Sequence, residues 1–432
     1  MSRVRKGAET DNTIINSMMI ISESFKEAHI SDDDIYETMS TVQFIHYFEK
    51  LKDWRNPDMV TYKLSNLLLM AFLVILSDGI NSFYGIADQI DICREKYIRY
   101  GLIEDNKVPS HDTFRRVFEL LDAQELYSQT IQCFYDFLLE LEAAIRGTDT
   151  YKHLAVDGKE VRGSGRSENS RHPKGNVQIL NVYDDGLQTC IHSEMIAEKT
   201  NEIPTAQDFL KGICLKKTVI TADALHCQRK TADIISKKKG IYVLTVKENQ
   251  PLLLEEIHAC MDSRKSSVTV IEREKRTFEI YHLPKGYATD GFTGMKTFVR
   301  MLSKKHSAKR ADTRCFISNA SDDSLIISAI EGRWCIENGF HKEKDNFLNE
   351  DRFRSAQKNT VLNLAIMNNL ALQLVRIYQA ISGLNLHKAK IYMRNYPLEG
   401  IQKILNVMGS KEIIGKVQKE MIRFKTFGLK EV

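Results

Sequence analysis

Apolar positions in the first third of the chain recur at helical spacing. Phe44, Phe48 and Leu51 share one face, and Leu64, Leu67, Leu68, Ala71, Phe72 and Ile75 make a helix apolar on most sides, halted at Asp78-Gly79. Ser82 reads as the N-cap of a further helix carrying Phe83, Ile86, Ala87 and Ile90. After Pro109, residues 110–116 open another helix with Arg115 and Arg116 near its start. This spacing fits a helix-turn-helix whose second helix enters a DNA groove; it fits equally a small all-α bundle with a solvated basic edge. Residues 1–34 have no period and read as a poorly ordered lead-in to a helical domain at 35–147.

Near residue 148 the apolar runs become short and strand-like. Residues 153–156 lead straight into Asp157-Gly158-Lys159, and a hairpin follows: 177–183, the turn Asp184-Asp185-Gly186, then 187–196. Next come a helix after Pro204, a strand at 218–222 ending in Asp223, a helix at 228–236, and a strand at 241–246 ending in Lys247-Glu248-Asn249-Gln250. Strands that alternate with helices predict a mixed sheet flanked by helices, with sites at the carboxyl ends of strands. This first part of an α/β core spans 148–250. Paired strands at 268–271, 277–282, 295–302 and 314–318 predict an inserted β subdomain at 251–320, and helical spacing returns for a second part of the core at 321–382. There Ile326, Ile330 and Trp334 continue as one helical stripe through Glu337, His341 and Lys344, with Arg333 four residues before Glu337. A charged connector, 349–354, precedes a long apolar helix at 361–378, and 383–432 forms a basic tail of short amphipathic helices.

The 432 residues, 43% of them hydrophobic, are enough for a large core divided among two or three domains. The apolar run at 67–76 is too short to span a bilayer, and no basic-then-apolar leader opens the sequence, so the expected place is the cytoplasm with no membrane partner. Eight cysteines occur without a C-x-x-C pair, against both a disulfide framework and a zinc ribbon. The net charge of +4 is uneven: ten Lys and Arg against four Asp and Glu lie at 383–432, which is compatible with a polyanion partner.

Candidate chemistry gathers on three acids. Asp157 and Asp223 each follow an apolar strand, 66 residues apart, and Glu337 lies 114 residues further on a helix able to pack beside the sheet. A lone Asp after a strand is ordinarily a turn or cap residue, and a lone Glu four residues from Arg333 is ordinarily an ion-paired surface group. Three convergent carboxylates are a candidate site for two Mg²⁺ ions, because hard divalent cations take oxygen ligands and a metal pair clamps the oxygens of an in-line phosphoryl displacement.

Asp157 in AVDGKEVRGS, Asp223 in TADALHCQ and Glu337 in RWCIENGFHKEKD resemble the three acids of DDE transposases, and more narrowly of the H-repeat-associated (ISAs-one) group of bacterial insertion sequences. Further matches are Lys199 to Pro204 in KTNEIP, Lys247-x-Asn249-Gln250, Glu350-Asp351-x-Phe353-Arg354, SFYGIA from Ser82, and PSHDTFRR from Pro109. The likeness covers residues 41–378. Of a wider signature with Tyr, Arg, Glu and Lys, this chain has Arg333, Glu337 and Lys344, with Ile330 at the Tyr position. Lys342 stands where close relatives often have Trp.

The resemblance implies a ribonuclease-H-like core and a two-metal endonuclease that frees a 3′-OH at the element's end and joins it to target DNA. Mg²⁺ would be held by Asp157, Asp223 and Glu337, with Mn²⁺ able to substitute. Arg333 and Lys344 would hold phosphates or orient Glu337, while Arg162, Lys199 and Lys247 would lie along the DNA backbone with Arg115 and Arg116 on the end-binding domain. Asn201, Asn249 and Gln250 would contact bases. The partners would be double-stranded DNA with terminal inverted repeats, target DNA and a second copy of the chain, acting at the bacterial nucleoid. Two other readings stay open: a decayed or domesticated descendant that binds DNA without cutting, and a metal-dependent nuclease without strand transfer.

Overall fold

The computed structural model describes residues 44–79, 82–104, 106–146, 151–165, 175–197, 202–263, 267–273, 276–287, 291–303 and 312–409. The lead-in expected at 1–34 and the end of the basic tail, 410–432, lie outside them.

The first apolar run forms the helix Leu64–Asp78, and its residues 67–76 are buried on every side. It stops where Gly79 takes φ +61°, a left-handed conformation open to glycine, and where a Cβ would come 2.5 Å from the Phe347 carbonyl oxygen. Ser82 caps Phe83–Ile92 by accepting the Gly85 N–H, and Ser110 caps His111–Leu120 by accepting that of Thr113. The last carbonyls of His111–Leu120 and its cap take hydrogen bonds from Asn359 and Asn363 of the long helix Lys358–Ser382. This satisfies the open end of one helix through its neighbour and docks the N-terminal helices onto the core. One hydrophobic cluster runs from Phe44 through these helices to Lys358–Ser382, the tail helices Leu386–Asn395 and Pro397–Gly409, and one face of the sheet. Lys358–Ser382 is the one described helix long and apolar enough to cross a membrane, and 89% of its apolar window is buried in this core.

Among the described residues nine strands form one mixed sheet: β1 (Lys152–Val161), β2 (Val177–Asp184), β3 (Thr189–Ile196), β4 (Thr218–Ala222), β5 (Ile241–Val246), β6 (Val268–Arg273), β7 (Arg276–His282), β8 (Thr297–Ser303) and β9 (Asp312–Ser318). Their order is β3-β2-β1-β4-β5-β9-β8-β7-β6. β1, β4 and β5 run parallel, and every other neighbouring pair is antiparallel. The strands expected as an inserted subdomain therefore extend the core sheet, because β9 pairs directly with β5; a helix, Pro251–Ser263, precedes them. Helices Glu202–Gly212, Arg229–Lys237 and Pro251–Ser263 cover one face. The other face carries the helix Asp323–Trp334 beside Lys358–Ser382.

The helix expected at 326–345 comes in three parts. An α-helix, Asp323–Trp334, passes into a π-helical turn, Cys335–His341, and back to α-helix over Lys342–Phe347. Glu337 lies in the π turn.

Candidate active site

The register of the parallel strands brings the two aspartates together. Val156 pairs with Ala222 as the last register pair of β1 and β4, so Asp157 and Asp223 follow side by side on adjacent strands, about 5 Å apart in backbone. Asp157 does not end its strand, as its apolar run suggested; β1 continues to Val161 along β2, and Asp157 sits where pairing to β4 stops. The residue alternation points Asp157 toward the face covered by the segment that carries Glu337.

Glu337 is 44% exposed at the cleft, and its Oε1 accepts from Arg333 Nη1 at 2.9 Å. Arg333 is only 7% exposed. Its guanidinium acts on Asp157 and Asp223 as well, so one cation lies within the field of all three acids. Its Nε is buried without a partner among the described residues. Lys247, at the end of β5, places its ammonium 3.1 Å from Asp223 Oδ1.

The electrostatics register the convergence. Burial, then the charge of Glu337, with Asp223 and Glu202 adding to it, push the Asp157 carboxyl up to about 7 against the pull of Arg333. Burial would raise Asp223 too, but the Ala224 N–H, Lys247 and Arg333 together hold it below the usual carboxylate range. His341 ends the π turn with Nδ1 3.7 Å from Asp157 Oδ2. Burial, then Lys344 and Lys159, push its ring down to about 3, so it is neutral.

Among the described residues no three His, Cys, Asp or Glu side chains stand close enough, as arranged, to hold one ion. Arg333 and Lys247 occupy Glu337 and Asp223 instead. The donor set is nonetheless all carboxylate oxygen, and Asp157 is raised first by burial and then by the neighbouring acids, a burden on its charged form that a hard cation would relieve. The residues fit divalent ions on that chemistry. Beside them opens a cleft of about 530 Å³ lined by Asp223, Lys247, Arg314, Arg333 and Glu337.

The other expected contacts divide. Arg162 stands 81% exposed at the end of β1, with Asp351 3.7 Å away. Arg115 and Arg116 are exposed on His111–Leu120, the guanidinium of Arg115 already bound by Asp112 and Glu119. Lys199 and Asn201 lie outside the described residues. Asn249 and Gln250 donate their amides to the Ala224 and Cys227 carbonyls at 2.7 and 2.9 Å, so these donors brace the turn behind Asp223 where base contacts were expected. Lys344, expected to hold a phosphate or orient Glu337, has a side chain only 1% exposed, and its ammonium lies 2.6 Å from Glu350 Oε1 in the interior.

Sequence reasoning missed several neighbours. Arg276 of β7 and Arg314 of β9 place their guanidinium groups 4.5 and 5.1 Å from the Trp334 ring, which a pattern read strand by strand does not disclose. Glu202 and His226, read in the sequence only as members of the motifs KTNEIP and TADALHCQ, bond to each other beside Gly158, and a glycine inside a strand was the signal of that close approach.

Residues 148–374 match the family model of the transposase DDE domain, and residues 45–137 match one described as DDE_Tnp_1-associated. A protein of Xanthobacter autotrophicus, "Uncharacterized protein in dhlA 3'region", is 27% identical over 292 residues, 64% of this chain and 94% of that one. The "H repeat-associated putative transposase YhhI" of Escherichia coli K12 is 24% identical over 385 residues, 83% of this chain and 97% of that one. Among solved structures, the piggyBac transposase synaptic complex with hairpin DNA aligns at a TM-score of 0.42 and 14% identity, over 94% of this chain and 84% of that chain.

Proposed function

This chain belongs to the DDE transposase family, and on that premise we propose that Asp157, Asp223 and Glu337 form one phosphoryl-transfer centre that cuts the ends of an insertion sequence and joins them to target DNA. The observation that carries the proposal is the approach of three acids from three distant segments: parallel pairing sets Asp157 beside Asp223, and Arg333, bound to Glu337, acts on both. The sheet order β3-β2-β1-β4-β5, with β1, β4 and β5 parallel, supports the ribonuclease-H-like reading of the core.

In the first step a water oxygen attacks the phosphorus at the element's end and the 3′-oxygen leaves with a proton as 3′-OH. In the second step that hydroxyl attacks a target phosphodiester, so no covalent bond to the protein forms. Two Mg²⁺ ions, or Mn²⁺ in their place, when held by Asp157, Asp223 and Glu337 would supply activation of the attacking oxygen and stabilisation of the leaving one. Arg333 keeps Glu337 in place at the wall of the cleft. Lys247 leaves Asp223 for the DNA backbone, to which it is half exposed. Asn249 and Gln250 hold the turn that aims Asp223. Arg162 meets a phosphate outside the cleft, and Arg115 and Arg116 contribute to end binding on the N-terminal helices. Two copies of the chain synapse two terminal inverted repeats.

The test is Mg²⁺-dependent cleavage of DNA carrying the element's end by Asp157→Asn, Asp223→Asn and Glu337→Gln, each checked for native folding. All three are expected to abolish cleavage. Any one that folds and cleaves at the wild-type rate removes its residue from the centre. Strand transfer from a pre-cut end distinguishes a transposase from a nuclease that only hydrolyses.

A further inference from the structure

Gly158 stands within β1, one residue past Asp157, where almost any other residue would support a strand better. The reason is a close approach. A Cβ on residue 158 would come 2.7 Å from Cδ and Oε1 of Glu202 and 2.9 Å from its Oε2. Glu202 opens the helix Glu202–Gly212, and its side chain is folded back onto the strand that carries Asp157.

A second contact fixes it there. Glu202 Oε1 lies 3.1 Å from His226 Nε2, and the His226 side chain is 2% exposed in the turn directly after Asp223. His226 Nδ1 is buried without a partner among the described residues, so the tautomer with its proton on Nε2, donated to Glu202, is the one that makes a bond. Glu202 thus approaches both aspartates from the sheet face opposite to Glu337: it passes Gly158 at the edge of β1 that β4 no longer covers, where its charge acts on Asp157, and it lies beside the turn of Asp223. No described residue bonds its Oε2.

A carboxylate placed here adds to the repulsion that Glu337 and Asp223 exert on Asp157, and the strand gives up a side chain at residue 158 to admit it. An ion pair serving only to hold the helix could be made anywhere along Glu202–Gly212. We propose that Glu202 is a fourth carboxylate of the active centre, fixed by His226 through Oε1 and presenting Oε2 to the divalent ion that Asp157 holds. This rests on the reading of Asp157, Asp223 and Glu337 as a metal centre.

The experiment is Mn²⁺ binding to the full chain, followed by the electron paramagnetic resonance signal of free Mn²⁺. Wild type is compared with Asp157→Asn, Glu202→Gln, His226→Asn and Gly158→Ala, with thermal unfolding as the check on folding. Loss of binding in Asp157→Asn is expected, with affinity lower by about 10–100-fold in Glu202→Gln and by roughly tenfold in His226→Asn and Gly158→Ala. If Asp157→Asn loses binding while Glu202→Gln and His226→Asn stay within about twofold of wild type, Glu202 serves the fold alone and the proposal falls, the centre standing. If Asp157→Asn binds like wild type, the centre itself falls and Glu202 with it. Should Glu202→Gln fail to fold, His226→Asn and Glu202→Asp, which shortens the reach of the carboxylate, decide by the same criterion.

Discussion

Glu350→Ala tests the frame that holds the two halves of the centre together. Glu350 is 3% exposed, and its two oxygens each bind one ammonium at 2.6 Å: Oε2 that of Lys159, two residues past Asp157, and Oε1 that of Lys344, seven past Glu337. Lys159 is also 2.5 Å from Asp345. Removing one partner of a buried ion pair costs about 3–5 kcal/mol, because a charge is left buried and alone. Lys159 would retain Asp345, whereas Lys344 would keep, among the described residues, the face of the Phe340 ring, 4.9 Å away. A second route gives a similar size. Burial alone would raise the Glu350 carboxyl, but Lys344 and Lys159 overcome it and hold it at about 2, against an ordinary value of 4.5. That difference is worth about 3 kcal/mol. Lys344 itself is held below its usual range by burial, which offsets part of the gain and favours the lower figure.

The expected result is therefore a loss of about 3 kcal/mol at neutral pH, read from urea unfolding of the full chain. Because the folded value is depressed, this stability is present above about pH 4.5 and is lost as pH falls toward 2. Glu350→Ala should accordingly flatten the acid limb of the stability curve over that window. Replacing Lys159, Lys344 and Glu350 together by apolar residues of similar size should recover much of the loss, since the three buried charges are then gone and Asp345, about a third exposed, is left to solvent. A Glu350→Ala protein within about 1 kcal/mol of wild type, with an unchanged acid limb, would refute the reasoning.

Other consequences are narrower. Gly332→Ala would put a Cβ 2.3 Å from Asp185 Oδ2 and 2.8 Å from His153 Nδ1, so a loss of about 1–3 kcal/mol in urea unfolding is expected; unchanged stability would mean that the buried pair yields freely. Asn249→Ala should lower the cleavage rate on the order of tenfold through a displaced Asp223 while DNA affinity holds, whereas a drop in affinity alone would return Asn249 to the DNA surface. Arg162→Ala should reduce the salt slope of DNA binding by about one, and Lys344→Ala should leave the slope unchanged while destabilising the fold. Equal slopes for the two variants would contradict the burial of Lys344.

What the sequence discloses depends on how local the cause is. The strands of Asp157 and Asp223 are legible because an apolar run followed by an acid is written in consecutive residues, and parallel pairing then sets the acids side by side. The caps at Ser82 and Ser110 are legible for the same reason. The extent of β1 past Asp157 is not, because residues 158–161 are held by pairing with β2, a partner some twenty residues away. Glu202 is hidden further, since its place depends on a helix folding back over Gly158.

Lys344 shows how a correct local pattern can still mislead. Seven residues of α-helix return nearly to the same face, so the periodic reading sets Lys344 beside Glu337. The π turn at Cys335–His341 breaks that period between the two residues: each i→i+5 turn takes in about one residue more than an α turn, which rotates the residues beyond the turn by roughly 100° around the axis. Glu337 thereby faces the cleft while Lys344 faces Glu350 in the interior. A substitution pattern that treats this segment as uninterrupted α-helix thus predicts loss of DNA contact at Lys344, where the π turn predicts loss of the clamp between Asp157's strand and Glu337's helix. Cleavage by Lys344→Ala should accordingly fall with its stability and recover on cooling or with added stabilising osmolyte, which a lost phosphate contact would not do.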